Sequence, residues 1–299
     1  MDSDVEEFLA ALKPGTRKLY GFGLNSFEQF YGESPKVFID RVEEDLRAPR
    51  QERKRIARNA LNGFINHLTE KGYAPKTIRA YVAAVQSMAS YYEVAFTTKY
   101  TRLPSANPVS KKEPWILQRV VEFVKILKPP HQAIAVIVFQ SGLGLGDLLA
   151  LRWDDIKAEF ETETVPLCFD LGRIKTDVPF MTFIGKWGFH MLKTHLAGVK
   201  LRDEDHLFQI GERAVEEHFQ RIAKRFLGSY TGKNPMRPHS LRAGFKTLLS
   251  DHKVDPLYSE FWMGHQLAEQ QKVYLSKSRD GWRKTYLEQA EPWLTPKKW

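Results

Sequence analysis

The chain has 299 residues, 42% of them hydrophobic and 27% charged. Those proportions are ordinary for folded proteins and exclude a wholly disordered or fibrous chain, and the length suits about two domains. A balance of 45 Lys and Arg against 36 Asp and Glu gives a net charge of +9, which leaves two readings open: a polyanionic partner, nucleic acid above all, or a soluble enzyme that happens to be basic. The single cysteine, Cys168, excludes an internal disulfide framework and a cysteine-based zinc site, and it fits a reducing cytosol. The opening MDSDVEEF is acidic and lacks the apolar core of a signal peptide. The longest apolar stretch, Ala133 to Phe139, is far short of the ~20 residues of a membrane helix. A soluble, cytoplasmic protein without membrane attachment is expected.

The first third reads as helical. Ser3 or Asp4 can cap a helix whose first turn carries Glu6 and Glu7. Tyr20, Leu24, Phe27 and Phe30 recur at helical spacing, as do Leu61, Phe64, Ile65 and Leu68, after which Gly72 stops the helix. Ile78, Tyr81, Val82, Val85 and Tyr92 form a further stripe. Residues 1–97 are therefore expected to be a bundle of four or so helices. The stretch 98–114 has prolines, basic residues and no periodicity, the composition of a linker. A second domain, 115–299, opens with helical stripes at Ile116–Leu127 and Gln132–Phe139. Trp153 to Phe183, β-branched and aromatic with turn candidates near Glu161 and Gly172, predicts about three short antiparallel strands, and helices resume from Lys186. The expected fold class is α+β, mainly α.

Several candidate chemistries fall away on spacing. VIVFQSGLGLGD (136–147) carries three glycines, but Asp147 occupies the third position of a dinucleotide fingerprint and no βαβ unit surrounds it. No Walker motif is present, and the nine histidines include no HExxH. No metal site is expected, although carboxylates gathered from distant positions would escape such a search. The run RAPRQERKRIAR (47–58) places Arg50, Arg53, Lys54, Arg55 and Arg58 ahead of a helix. It is either a solvated helix face or a stripe contacting phosphates.

The last quarter is the informative part. RPHSLRAGF sets His239 and Arg242 three apart, on one helix face; WMGHQL supplies His265, and VYLSK supplies Tyr274. Cationic His and Arg groups suit a pentavalent phosphorus transition state, and Tyr is a metal-independent nucleophile for phosphorus.

With these residues in place the chain resembles the tyrosine recombinase (phage integrase) family, whose signature is H-x-x-R, then about 23 residues to His or Trp, then nine to the nucleophilic Tyr. Here Arg242 to His265 is 23 and His265 to Tyr274 is nine. GRIKTDVP looks like the family's β-hairpin lysine motif, with Lys175 at the lysine. SGLGLGDLLALRWDDI resembles its first arginine box, T-G-L-R-x-x-E-L-x-x-L-x-W-x-D-I. The helical first third resembles the core-binding domain, including a T-x-x-x-Y pattern at Thr77–Tyr81. The tail, with Tyr286 and EPWL (291–294), looks more like archaeal and archaeal-virus integrases than bacterial Xer proteins.

The resemblance implies a protein that clamps double-stranded DNA between an all-helical domain and a catalytic domain whose small sheet carries Lys175. It implies work as a tetramer on paired sites, without cofactor, in a prokaryotic cell or the host of a virus or plasmid. Tyr274 would attack the scissile phosphate, Arg242 would clamp its oxygens, His239 would accept the tyrosine proton, Lys175 would protonate the departing 5′ oxygen and His265 would hydrogen-bond the phosphate. Lys76, Arg79 and Arg173 join the basic run as expected DNA contacts. The segment 287–299 would dock on a neighbouring protomer through Trp293 and Leu294, or pack on its own domain. One position departs from the family: Gly144 stands where the first catalytic arginine belongs, while Ser141, Gly142, Leu143, Asp147, Leu148, Leu151 and Trp153 fit the box around it. Three readings follow: a deliberately inactivated variant, a naturally degenerate recombinase, or a site completed by another cation such as Arg173 or one from a neighbour. The alternatives to a recombinase are a non-catalytic DNA-binding protein on the same fold and, more remotely, a small-molecule enzyme using the glycine-rich loop.

Overall fold

The computed structural model describes residues 2–105, 116–172, 178–228, 234–273 and 275–299. The chain divides into two compact units, Met1–Lys111 and Lys112–Trp299.

The first unit holds five helices among its described residues: α1 (Ser3–Ala10), α2 (Pro14–Tyr31), α3 (Pro35–Arg47), α4 (Ile56–Glu70) and α5 (Pro75–Tyr91). Three of them start on proline, whose fixed φ suits the first helical turn and whose missing N–H costs nothing there. The cap of α1 is Asp2 rather than Ser3 or Asp4. Its carboxylate also accepts the Ser34 hydroxyl at 2.8 Å, and Ser34 caps α3. One side chain thus joins two helix starts, and the Ser34 hydrogen bond holds the Asp2 carboxyl below its ordinary range. The core is aromatic: Phe27 meets Phe38 and Phe64 edge-on, at centroid distances of 4.9 and 5.2 Å. The segment expected as linker divides. Leu103 packs against this core and the Arg102 amide donates to Asn62 at 3.0 Å, so 98–105 lies on the helical unit, whereas 106–114 is outside the described residues.

The second unit runs α6 (Leu117–Ile126), α7 (His131–Ser141), α8 (Leu145–Leu149), α9 (Lys157–Glu161), β1 (Leu167–Gly172), β2 (Pro179–Ile184), α10 (Lys186–Leu196), α11 (Glu212–Leu227), α12 (Pro238–Asp251), α13 (Pro256–Trp262), α14 (Glu269–Val273), α15 (Arg279–Gln289) and α16 (Glu291–Leu294). The strands pair antiparallel, from Leu167 opposite Ile184 to Gly172 opposite Pro179. About three strands were expected and two are found among the described residues, because 157–161 closes a short helix instead. Every residue of α7 from Ala133 to Ser141 is buried, as a helix apolar all round requires. Helices α10 and α12 and strand β2 pack around it. No described helix is long and apolar enough to cross a membrane.

The tail packs on its own unit. Leu294 is fully buried, and Trp293 stacks on His252 with centroids 3.8 Å apart. The buried Gln140 of α7 is the clasp. Its Oε1 accepts from the Gly188 and Gly185 amides at 2.8 and 3.2 Å, while its Nε2 donates to the Thr295 hydroxyl and the Leu294 carbonyl at 2.8 and 3.2 Å. Gln140→Leu strands these partners inside the protein, so urea denaturation is expected to show a loss of about 2–4 kcal/mol. A change under about 0.5 kcal/mol would show that water replaces the clasp.

At the start of α7, His131 stacks on His218 of α11 with centroids 3.7 Å apart. Burial, with His218 and Arg221 alongside, pushes the His131 pKa down to about 4. Protonation therefore favours the unfolded chain, whose histidine titrates near 6.5. The stability held above pH 6.5 is lost as pH falls towards 4. His131→Phe is expected to flatten that decline in urea midpoints across the window, and parallel curves for the two proteins would refute the assignment.

Candidate active site

The site forms where three pieces of the second unit meet. Helix α7 ends at Gly142 with φ +66°, where a Cβ would lie 2.7 Å from Phe245. Only glycine fits that turn, and the turn aims the Gly142 carbonyl at α12. Helix α13 ends in a Schellman turn: the Gly264 amide donates to Phe261 O at 2.8 Å and the His265 amide to Glu260 O at 3.0 Å. Gly264 has φ +63°, and a Cβ there would meet Phe180 of β2 at 2.8 Å. Helix α12 starts on Pro238 and carries His239 and Arg242 on neighbouring turns.

Arg242 locks the three together. It is 5% exposed. Its Nη1 donates to the Gly142 carbonyl, and its Nη2 donates to the Met263 carbonyl at 2.8 Å and to His265 Nε2 at 2.9 Å. A guanidinium only donates, so Nε2 of His265 accepts and its proton sits on Nδ1. That Nδ1–H donates to the Glu260 carboxylate, which also accepts from Lys246 Nζ. Burial alone would raise the Glu260 pKa, but the hydrogen bonds from Lys246 and His265 outweigh it and hold the carboxyl below its ordinary range. The result is an unbroken chain, Lys246–Glu260–His265–Arg242. It borders an open cleft of about 430 Å³ that His239 also lines. On the other side of His265, Phe180, Phe261, Leu267 and Leu275 line an apolar cavity of about 390 Å³.

Of the expected catalytic residues, Arg242 and His265 touch and His239 shares their cleft. Tyr274, Lys175 and Arg173 lie outside the described residues. Gly144 caps α8 at φ −69°, ψ 150°, a conformation open to any residue. A Cβ there would meet only the Asp147 carboxylate, 2.7 Å away. Glu260 and Lys246 were missed by sequence reasoning. Lys246 had a signal, standing four residues after Arg242 on the same face; Glu260 had none, since its role arises by tertiary contact.

The basic run is a loop between α3 and α4, not a helix face, except Arg47, which ends α3, and Arg58, which lies on α4. The Asp45 carboxylate accepts from the amides of Lys54 and Ile56 and holds the loop. Arg53 is engaged locally, donating to the carbonyls of Leu46 and Ala48 at 2.7 and 3.0 Å, where α3 ends. Arg50, Lys54 and Arg55 are exposed. So are Lys76 in the first turn of α5 and Arg79 just beyond it, with Arg79 donating to the Pro104 carbonyl at 3.5 Å.

The sequence profile described as Phage integrase family matches residues 116–280, which is more than half of the chain. The chain belongs to that family. Tyrosine recombinase XerD of Halalkalibacterium halodurans is 23% identical over 285 residues, covering 88% of this chain and 90% of that protein. Tyrosine recombinase XerC of Bacillus pumilus is 24% identical over 246 residues, covering 75% and 78%. Among solved structures, the Tn1549 transposon integrase in complex with circular intermediate DNA superposes with a TM-score of 0.62 at 16% identity, covering 94% of this chain and 97% of that one. A lambda integrase dimer bound to a COC′ core site gives 0.62 at 12% identity, covering 91% and 76%. The expected fold class stands; the finer archaeal placement read from the tail is not among what these relatives carry.

The two glycines of the box differ in what they tolerate. Gly142→Ala combines a left-handed φ with overlap onto Phe245 and is expected to cost about 2 kcal/mol or more in urea denaturation. Gly144→Ala is expected to stay within about 0.5 kcal/mol. Equal losses for the two would show that the turn relaxes more readily than its packing implies.

Proposed function

We propose that this protein is a site-specific DNA recombinase that cuts and rejoins duplex DNA through a 3′-phosphotyrosine intermediate, acting in the cytoplasm of a prokaryotic cell or of the host of a virus or plasmid. The observation that carries the reading is the buried Arg242 fork, held by two carbonyls and His265 beside an open cleft, in a chain of this family. A guanidinium fixed in that way presents charge-assisted donors to a phosphate at little further ordering cost. Tyr274 attacks phosphorus. The P–O5′ bond breaks as the P–O bond to tyrosine forms, so the phosphodiester's energy is kept and no ATP is used. A phenol of pKa near 10 needs its proton removed at neutral pH, and His239 takes it. Lys175 gives a proton to the leaving 5′ oxygen. His265, its ring fixed by Glu260, holds the Arg242 guanidinium beside the phosphate. Rejoining runs these steps backwards from a 5′ hydroxyl. The exposed cations Arg50, Lys54, Arg55, Lys76 and Arg79, with Arg58 and Arg173, contact backbone phosphates, and the assembly on paired sites is a tetramer.

A second reading, a DNA-binding protein that does not cleave, has one observation in its favour. Gly144 offers no side-chain donor, and the Asp147 carboxylate lies 2.7 Å from where a Cβ would stand; losing one preorganised donor costs about 3–4 kcal/mol, or roughly 10²–10³ in rate. A nicked suicide substrate separates the two. On a target found in the DNA flanking the gene, a covalent adduct on a denaturing gel that disappears in Tyr274→Phe supports the recombinase. Specific binding without adduct, both for this chain and for Gly144→Arg, supports the second reading.

A further inference from the structure

We infer that Lys246 is the second cation of the phosphate site and takes over the charge that Gly144 does not supply; this rests on the recombinase reading. Three observations carry it. Lys246 lies on α12 one turn beyond Arg242 and lines the same cleft as His239, Arg242 and His265. Apart from Arg242, it is the one permanent cation among the described residues that line that cleft. Its ammonium is tied through Glu260 and His265 to Arg242 itself.

The geometry favours a phosphate ligand over a purely structural ion pair. Helical side chains lean towards the N-terminus, so the lysine stem lies over the turn that carries Arg242. One turn rises about 5.4 Å, within the reach of a lysine side chain. An ammonium has three donors, and Glu260 takes one, leaving two for phosphate oxygens. The side chain of Lys246 is 47% exposed while its partner Glu260 is 24% exposed, so the head group faces the cleft from a fixed base. An ion pair this exposed contributes little to stability on its own. Glu260 serves as a positioning residue: lowered in pKa and ionised, it holds Lys246 and His265 in one arrangement.

The test is a double-mutant cycle between positions 144 and 246, read as the single-turnover rate of adduct formation at saturating protein, with Tyr274→Phe as the blank. DNA affinity is measured in parallel by gel shift. Lys246→Ala is expected to slow adduct formation about 10²–10³-fold, with affinity changed only a few-fold, and Lys246→Arg to stay within about tenfold of the parent. Gly144→Arg is expected to raise the parent only a few-fold but to restore Lys246→Ala by about 10²-fold, because either cation completes the clamp. Glu260→Gln is expected to slow adduct formation while sparing affinity. The inference is overturned if Lys246→Ala reacts like the parent, if Gly144→Arg accelerates both backgrounds equally, or if the parent is inert and Gly144→Arg alone forms adduct. That last result leaves the recombinase reading standing. No adduct from any variant on a site they all bind overturns both.

Discussion

A guanidinium taken out of water destabilises a fold unless its donors are met. In this chain Arg242 meets that demand with the carbonyls of Gly142 and Met263 and with His265 Nε2. Those acceptors sit at the ends of two different helices, so satisfying one side chain fixes how α7, α12 and α13 come together. The glycines follow from the same demand. A carbonyl can turn towards Arg242 only if each helix ends in a left-handed residue, and packing against Phe245 and Phe180 leaves no room for a Cβ at either place. Fold and site therefore share one interaction, and the strand pair contributes by placing Phe180 under Gly264.

Much of this was legible because it rests on local rules. A spacing of three within one helix fixes His239 and Arg242 on a shared face whatever the rest of the chain does. Helical stripes and the stop at Gly72 are equally local, and they match α4, which ends at Glu70. The tail's packing on its own unit was one of two readings, and the Gln140 clasp decides it for the single chain. The region from Trp153 to Phe183 was less legible: its apolar residues suit short buried helices as well as strands, and α9 took a stretch expected to be extended. The basic run misled for a different reason. Its charge density was visible, but not that Asp45, nine residues upstream, would draw the Lys54 amide back and leave Arg55 at φ +57°.

The Lys246–Glu260–His265 chain marks the limit of sequence reading. Glu260 looks like one more surface carboxylate on a short helix, and Lys246 like a solvated helical cation. What makes them part of the site is that the Schellman turn folds His265 back towards Glu260 while α12 brings Lys246 to the other oxygen of the same carboxylate. No spacing rule encodes a contact between two elements whose connection passes through an intervening turn.

Glycine at 144 bears on charge and leaves the architecture intact. The residues that position Arg242 are backbone carbonyls and His265, none of which depends on a side chain at 144. The backbone at 144 is itself unstrained. The loss therefore removes a donor from the field at the phosphate without loosening the frame that aims the remaining ones. A site damaged in its frame must be rebuilt from several positions, whereas a site short of one positive charge is completed by any cation held at the right distance. Because the frame persists, a lysine one turn along α12 is sufficient to matter, and the site's competence becomes a question of electrostatics rather than of folding.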